Sequence, residues 1–399
     1  MSIWPQQNPD RPNPEMENFF ATCPRGLEGV LATELTELTA VEVRPVDGGV
    51  GFRGPYALCY RINLESRIAS RVLWRIGHCR YRDENDIYTA AHKLRWAQWF
   101  GAQQTIRVDT AAIKSPLRSL DFVTLRVKDA VCDVLREVEG VRPSVDTRQP
   151  DIRIHVFLTR DEAVFYLDTS GEALFKRGWR KTTGEAPLRE NLAAGILRLA
   201  GWTPEQVLLD PMCGSGTFLI EAMLMALRRA PGLNRTFGFE KLRNFDRKTW
   251  ESLRQRVAAQ ENKSIKTTCY GYDRSGDAIA QARENVAALG LENHIVLKQC
   301  SFEDSKPPAP AGLLITNPPY GVRLEELDEL AAWYPKMGDI LKQRYSGWTA
   351  WILTADLRLT KLMRLQASRR TPLYNGALEC RLFKYELVAG SMRKPAASG

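Results

Sequence analysis

Val207-Leu208-Leu209-Asp210-Pro211-Met212-Cys213-Gly214-Ser215-Gly216-Thr217-Phe218-Leu219-Ile220-Glu221 decides the fold of this chain. A short apolar run ends in a carboxylate, a glycine turn follows, and the next stretch is apolar on nearly every side. That is a buried strand turning into a buried helix, the opening unit of an open α/β sheet whose ligands sit beyond the carboxyl ends of the strands. Gly214 and Gly216 let the backbone approach a ligand closely, and the helix N-terminus favours a carboxylate placed over it. A tight strand-to-helix turn needs glycine in any case, so the turn alone is weak evidence. A second strand, Thr267 to Asp273, ends in a carboxylate suited to a ribose diol. The helix after it carries Ala278, Ile279, Ala282, Val286 and Leu289 on one face, with Gly290 as its stop.

Further on, Asn317-Pro318-Pro319-Tyr320 stands directly after the apolar run Gly312 to Thr316. An sp² amine on a purine is a poor nucleophile, because its lone pair is delocalised into the ring and its two hydrogens lie in the ring plane. The Asn317 side-chain oxygen and the Pro318 carbonyl are placed to accept those hydrogens. Holding them there favours a pyramidal nitrogen whose lone pair points at an electrophile, while Tyr320 offers a face on which the base stacks. The two prolines fix φ near −65° and keep that carbonyl in place. Taken alone, the tetrapeptide also reads as a proline-rich turn closing a buried strand.

Glycine loop, acidic strand end, then Asn-Pro-Pro-Tyr is an order that resembles the class I S-adenosylmethionine-dependent methyltransferases acting on exocyclic amines. Phe175-Lys176-Arg177-Gly178-Trp179-Arg180, Glu185 to Ala194, Asp210 to Ala222 and Thr316 to Leu324 are together similar to the THUMP-containing RNA guanine-N2 methyltransferases. Within that group the chain most resembles the bacterial enzymes that modify 23S ribosomal RNA, and Leu373 to Cys380 is similar to their closing hairpin. The resemblance spans residues 18 to 390. It implies an N2 methylation of guanine with S-adenosylmethionine as cofactor and RNA as partner, 23S rRNA first and transfer RNA as the nearest rival. Some relatives carry a second domain acting on guanine N7, and only the N2 activity is expected here.

The same resemblance implies roles by position. Asn317, Pro318 and Tyr320 form the catalytic group; Asp210, Cys213, Gly214, Gly216, Asp273, Ser301 and Asn317 contact the cofactor. Many relatives place an aspartate after the third strand for the adenine amine, where this chain has Cys300; Glu303, Asp304 or the Ser301 backbone then takes that role. Arg189 and Asn191 are candidates for the cofactor's far side. Arg177, Arg180 and Lys181 are candidates for RNA phosphates, beside the alternative of a solvated linker, and Arg323, after the target-base loop, is a candidate by position alone.

Composition agrees with this reading. The 399 residues suffice for several domains, and a net charge of +9 with a pI near 9.1 suits a polyanionic partner. Eight cysteines without a Cys-x-x-Cys pair indicate neither a zinc cluster nor a disulfide framework, and no metal is expected. A cytoplasmic location follows from reduced cysteines, a polar proline-rich start and the lack of an apolar run near 18 residues, which also argues against a membrane. The expected organisation is a disordered tail over 1–17, a ferredoxin-like α+β domain over 18–75, and a THUMP RNA-binding domain over 76–170. A linker over 171–190, a Rossmann-like α/β methyltransferase domain over 191–390 with a doubly wound seven-stranded sheet and an antiparallel C-terminal hairpin, and a tail over 391–399 complete it. Trp96, Trp99 and Phe100 read as core in preference to an RNA-stacking platform.

Overall fold

A computed structural model describes residues 16–180, 188–319 and 324–388, with backbone only over 324–328. The expected N-terminal tail lies outside these residues except for Met16 and Glu17, which begin the first strand; the expected C-terminal tail lies outside them entirely.

The N-terminal half runs β1 (Met16–Thr22), α1 (Glu28–Glu37), β2 (Val41–Val46), β3 (Gly49–Pro55), α2 (Leu58–Glu65), β4 (Arg71–Arg80), α3 (Glu84–His92), β5 (Ile106–Ala112), α4 (Leu120–Glu139), β6 (Ile152–Leu158) and β7 (Glu162–Asp168). Local chemistry explains the ends. The Ser119 hydroxyl caps α4 by accepting the Phe122 N–H, and Gly140 ends it in the left-handed region at φ 80°. β6 alternates buried and half-buried residues along its whole length, as a strand with one core face must.

These strands form one sheet of order β2-β3-β1-β4-β7-β6-β5, all antiparallel except β5 beside β6. The two expected N-terminal units therefore share a sheet. β4 joins them by pairing with β1 on one side and β7 on the other, and the boundary expected at 75/76 falls inside β4, where the register with β7 shifts between Arg75 and Gly77. Trp96, Trp99 and Phe100 are buried, and the Trp96 indole donates to the Ala91 carbonyl at 2.8 Å, so the core reading holds.

The C-terminal half runs α5 (Glu190–Ala200), β8 (Leu208–Asp210), α6 (Thr217–Ala226), α7 (Arg247–Ala258), β9 (Cys269–Asp273), α8 (Gly276–Ala287), β10 (Ile295–Gln299), β11 (Gly312–Thr316), α9 (Leu324–Arg344), β12 (Trp348–Thr354), α10 (Leu359–Leu362), β13 (Arg369–Asn375) and β14 (Leu378–Glu386). Its sheet has the order β10-β9-β8-β11-β12-β14-β13, with β8 to β12 parallel and β14 antiparallel to both its neighbours. This is the expected doubly wound sheet, closed by the expected hairpin at Asn375-Gly376.

The two halves pack closely. Tyr60 of α2 lies against Phe239, Phe245 and Trp250, and its hydroxyl accepts the Asp246 N–H at 3.0 Å. Gly26 sits so near β13 that a Cβ there would lie 2.3 Å from the Pro372 carbonyl oxygen. Within the expected linker 171–190, residues 171–180 have no helix or strand, and Ala173, Leu174, Arg177 and Trp179 are buried between the halves.

Candidate cofactor and target-base site

The parallel strands bring their carboxyl ends to one edge, and there the sequence-marked residues meet. Asp210 ends β8, Asp273 ends the adjacent β9, and Asn317 follows β11 on the other side of β8. The loop between β8 and α6 is tied down by its own backbone. The Cys213 N–H donates to the Tyr272 carbonyl at 2.8 Å, the Gly214 N–H to Asp273 Oδ2 at 2.9 Å, and the Gly216 N–H to the Cys213 carbonyl at 2.8 Å. Gly214 and Gly216 both have positive φ, 52° and 81°, which L side chains adopt only with strain. Around Gly214 no heavy atom would lie within 4 Å of an added Cβ, so its backbone faces open space.

Asp210 is buried and, among the described residues, accepts one backbone N–H, from Met212 at 3.2 Å. Burial pushes its carboxyl up to about 7, helped by the charge of Asp273, while the Thr316 hydroxyl and the Met212 N–H pull the other way. A carboxylate so placed is short of a cation. Asp273 accepts one backbone N–H on each oxygen, from Gly214 and from Ser275, which fixes its plane and leaves a lone pair on each oxygen free for a diol.

A cavity of about 830 Å³ opens above these ends, bounded by Met212, Gly214 and Asp273 below, Phe302 and Glu303 at one side, Asn317 and Pro319 at the other, and Leu330, Trp333 and Lys336 of α9 over it. Asn317 Oδ1 is buried and has no hydrogen-bond partner among the described residues. A buried amide oxygen left unpaired costs about 1–3 kcal/mol, so this acceptor is held ready for a donor that arrives with a ligand. Pro318 is buried and Pro319 exposed. Tyr320 and Arg323 lie outside the described residues, as does Lys181.

At the expected adenine end, the Cys300 N–H donates to the Asp273 carbonyl at 2.9 Å, and its side chain is half-buried. Asp304 is turned into its own loop, accepting from the Ser301 hydroxyl at 2.7 Å. Glu303 is the acid on the cavity wall, where it accepts the Trp333 indole N–H.

Four expected positions lie elsewhere. Arg177 is buried, faces Glu221 and donates to the Leu174 and Arg67 carbonyls, so no N–H is left at the surface for a phosphate. Arg180 is nearly as buried and pairs with Glu190. Asn191 is fully buried and donates to the Ile68 carbonyl and the Ser70 hydroxyl, holding the halves together rather than lining the cavity. Arg189 lies over the Phe175 ring and against the Gly376 turn. What the residue types could not reveal is α9 as a cavity wall, although Leu330, Trp333 and Lys336 recur at three-residue spacing. Also unmarked were Lys361, Arg364, Arg369 and Arg370, which are exposed beyond β12 and make no ion pair among the described residues.

Comparison with known proteins agrees with this architecture. Residues 177–384 match the model for the RMKL-like methyltransferase domain, residues 81–168 that for the THUMP domain, and residues 18–73 that for the RlmL ferredoxin-like domain. The chain is 41% identical over 370 residues to the Synechocystis protein named "Putative RNA methyltransferase slr0064", covering 92% of this chain and 96% of that one. It is 41% identical over 381 residues to the ribosomal RNA large subunit methyltransferase K/L of Syntrophotalea carbinolica, covering 93% of this chain but 53% of that one. The chain thus spans about half the length of the K/L relatives it matches. The crystal structure of SMU.472 complexed with SAH superposes with a TM-score of 0.84 at 31% identity, covering 95% of this chain and all of that one. No described helix is long and apolar enough to cross a membrane. Fold, motif order and these matches together make the chain a member of the RMKL-like methyltransferase family, carrying a THUMP domain and an RlmL-type ferredoxin-like domain ahead of its methyltransferase sheet.

Proposed function

We propose that this protein transfers a methyl group from S-adenosylmethionine to the exocyclic N2 amine of a guanine in 23S ribosomal RNA. The observation that carries the reading is Asn317 Oδ1, without a hydrogen-bond partner among the described residues and buried beside the same cavity that Gly214 and Asp273 line. A purine NH₂ is the donor such an acceptor lacks, and gripping it orients the nitrogen lone pair toward the methyl donor.

The residues present fit the cofactor. Asp210, deprived of a cation, suits the ammonium of its methionine end; Asp273 suits the ribose diol; the open backbone at Gly214 admits close approach; Phe302 and Glu303 offer an apolar wall and an acceptor for the adenine. S-adenosylmethionine supplies an electrophilic sulfonium methyl when bound. The chain's own residues then bind, orient and exclude water. Little acid-base chemistry is required, because the attacking nitrogen becomes acidic once methylated and releases its proton to solvent, so positioning supplies most of the rate. Within this reading Pro318 presents its carbonyl to the second amine hydrogen and Tyr320 stacks on the base; Arg323 contacts RNA by position. Flipping the base out of its stack costs a few kcal/mol, which those contacts partly offset.

RNA as the substrate is supported by the THUMP match at 81–168 and by the exposed cations Lys361, Arg364, Arg369 and Arg370, which make no ion pair among the described residues. The resemblance to the large-subunit enzymes favours ribosomal RNA, in keeping with the cytoplasmic location expected above. The test incubates the protein with methyl-labelled cofactor and large-subunit RNA, small-subunit RNA, transfer RNA or DNA in turn, followed by nucleoside analysis. N2-methylguanosine in large-subunit RNA is expected. Label in transfer RNA alone overturns the ribosomal assignment, and N6-methyladenosine overturns the base.

A further inference from the structure

Helix α6 begins at the glycine loop, and three arginines from outside the methyltransferase sheet grip it along its length. At its first residue, Arg180 Nη2 donates to the Thr217 hydroxyl at 2.8 Å. One turn on, Arg177 Nε meets Glu221 Oε1 at 3.3 Å, both side chains being buried. At its far end Arg67 Nη2 donates to the Leu224 and Arg229 carbonyls at 2.9 and 2.7 Å. Arg177 also donates to the Arg67 carbonyl at 2.6 Å, so the second and third grips are joined.

Arg180 is the one that reaches the loop itself. Its Nε donates to Glu190 Oε1 at 3.0 Å, its Nη2 also to the Leu188 carbonyl at 3.2 Å, and its guanidinium lies 5.2 Å from the centre of the Trp179 ring. Its side chain is only 9% exposed and that of Glu190 only 7%. A long cationic side chain is seldom so fully ordered and desolvated unless several partners hold it. The hydroxyl it grips stands 3.4 Å from the Ser215 hydroxyl, while Asn285 Nδ2 donates to the Ser215 carbonyl at 3.1 Å from the other side. The Ser215-Gly216-Thr217 turn is thereby held between α8 and Arg180.

We propose that Arg180 is a positioning residue for the cofactor: through the Thr217 hydroxyl it holds the Gly216-Thr217 turn in the conformation that receives the methionine end of S-adenosylmethionine, and it does not contact RNA. A phosphate would have to displace Glu190 from a largely buried ion pair, which the desolvation of both ions opposes. The inference rests on the cofactor reading above, and the experiment separates the two.

Calorimetric titration of S-adenosylhomocysteine into the full chain is compared for the unaltered protein, Arg180→Met, Arg180→Lys, Thr217→Val and the Arg180→Met/Thr217→Val pair, alongside affinity for a large-subunit RNA fragment at several salt concentrations. The expected result is about tenfold weaker S-adenosylhomocysteine binding for Arg180→Met, partial recovery in Arg180→Lys, and no further loss in the pair beyond the weaker single variant, the mark of a shared contact. RNA affinity and its salt slope stay unchanged. Thr217→Val, which preserves shape, reads the same contact should Arg180→Met fold poorly. Unchanged S-adenosylhomocysteine affinity in Thr217→Val and Arg180→Lys overturns the proposal. So does a weakened RNA affinity with a shallower salt slope, which makes Arg180 a phosphate contact, and so does a parallel loss of both ligands with a lowered melting temperature, which makes it a brace only. Failure of the unaltered protein to bind S-adenosylhomocysteine refutes the cofactor reading instead.

Discussion

The two seven-stranded sheets of this chain follow opposite pairing rules. In the first, all neighbours but β5 and β6 run antiparallel; in the second, β8 to β12 run parallel and only the closing hairpin reverses. An antiparallel sheet sends alternate strand ends to opposite edges, so no edge collects the loops. A parallel sheet sends every carboxyl end to the same edge. Asp210, Asp273 and Asn317, far apart in sequence, come together for that reason alone. The candidate site therefore belongs to the second sheet, whereas the first, fused from two units across β4, has no edge that gathers such residues.

The sharpest way to break the comparison is at the joint. Arg177→Met leaves Glu221 buried and unpaired, and chemical denaturation should show a loss of about 3–5 kcal/mol, largely recovered when Glu221→Gln is added. A loss under about 1 kcal/mol would mean that the halves do not depend on this pair.

Within the second sheet, Asn317→Ala should cut turnover by on the order of a hundredfold or more while leaving S-adenosylhomocysteine binding within about twofold. Near-normal turnover would remove Asn317 from the chemistry.

The raised Asp210 carboxyl makes a third expectation. Its ordinary value is 3.8 and folding lifts it to about 7, so between those pH values the native state holds a proton that the unfolded chain has released. Stability of the unliganded protein should fall as pH rises through that window, and Asp210→Asn should remove this fall. Melting temperatures at pH 5 and pH 8 read it directly: the variant should gain on the unaltered protein at pH 8. An equal difference at both values would refute the burial argument.

The smallest effect concerns the exposed rim. Lys361→Gln with Arg364→Gln should weaken RNA binding by severalfold and flatten its salt slope by about 0.7 per lost phosphate contact, with cofactor affinity untouched. No change would return RNA recognition to the first sheet alone.

Much of the site was legible because its signals are local. A strand end, a glycine with positive φ and a proline pair each restrict the backbone where they stand, and the helix following β9 announced itself by periodicity. Charges were less legible. Arg177, Arg180 and Lys176 read alike in sequence, yet Arg177 and Arg180 are buried in ion pairs while Lys176 is exposed and bridges to Glu172. The helix wall of Trp333 and Lys336 carried too weak a pattern to be assigned to the cavity.

By itself the sequence determined the strand-turn-helix unit at Asp210 to Glu221, the helix after Asp273 and the pairing of acidic strand ends with an Asn-Pro-Pro-Tyr loop, since torsional limits and side-chain alternation act over a few residues. Only the tertiary structure decided which cations face water, that the two N-terminal units share one sheet, and that Asn317 Oδ1 stays unpaired among the described residues. Those outcomes depend on partners remote along the chain, such as Arg177 and Glu221 at a separation of 44 residues, and burial sets their energetics only after the halves have closed on each other.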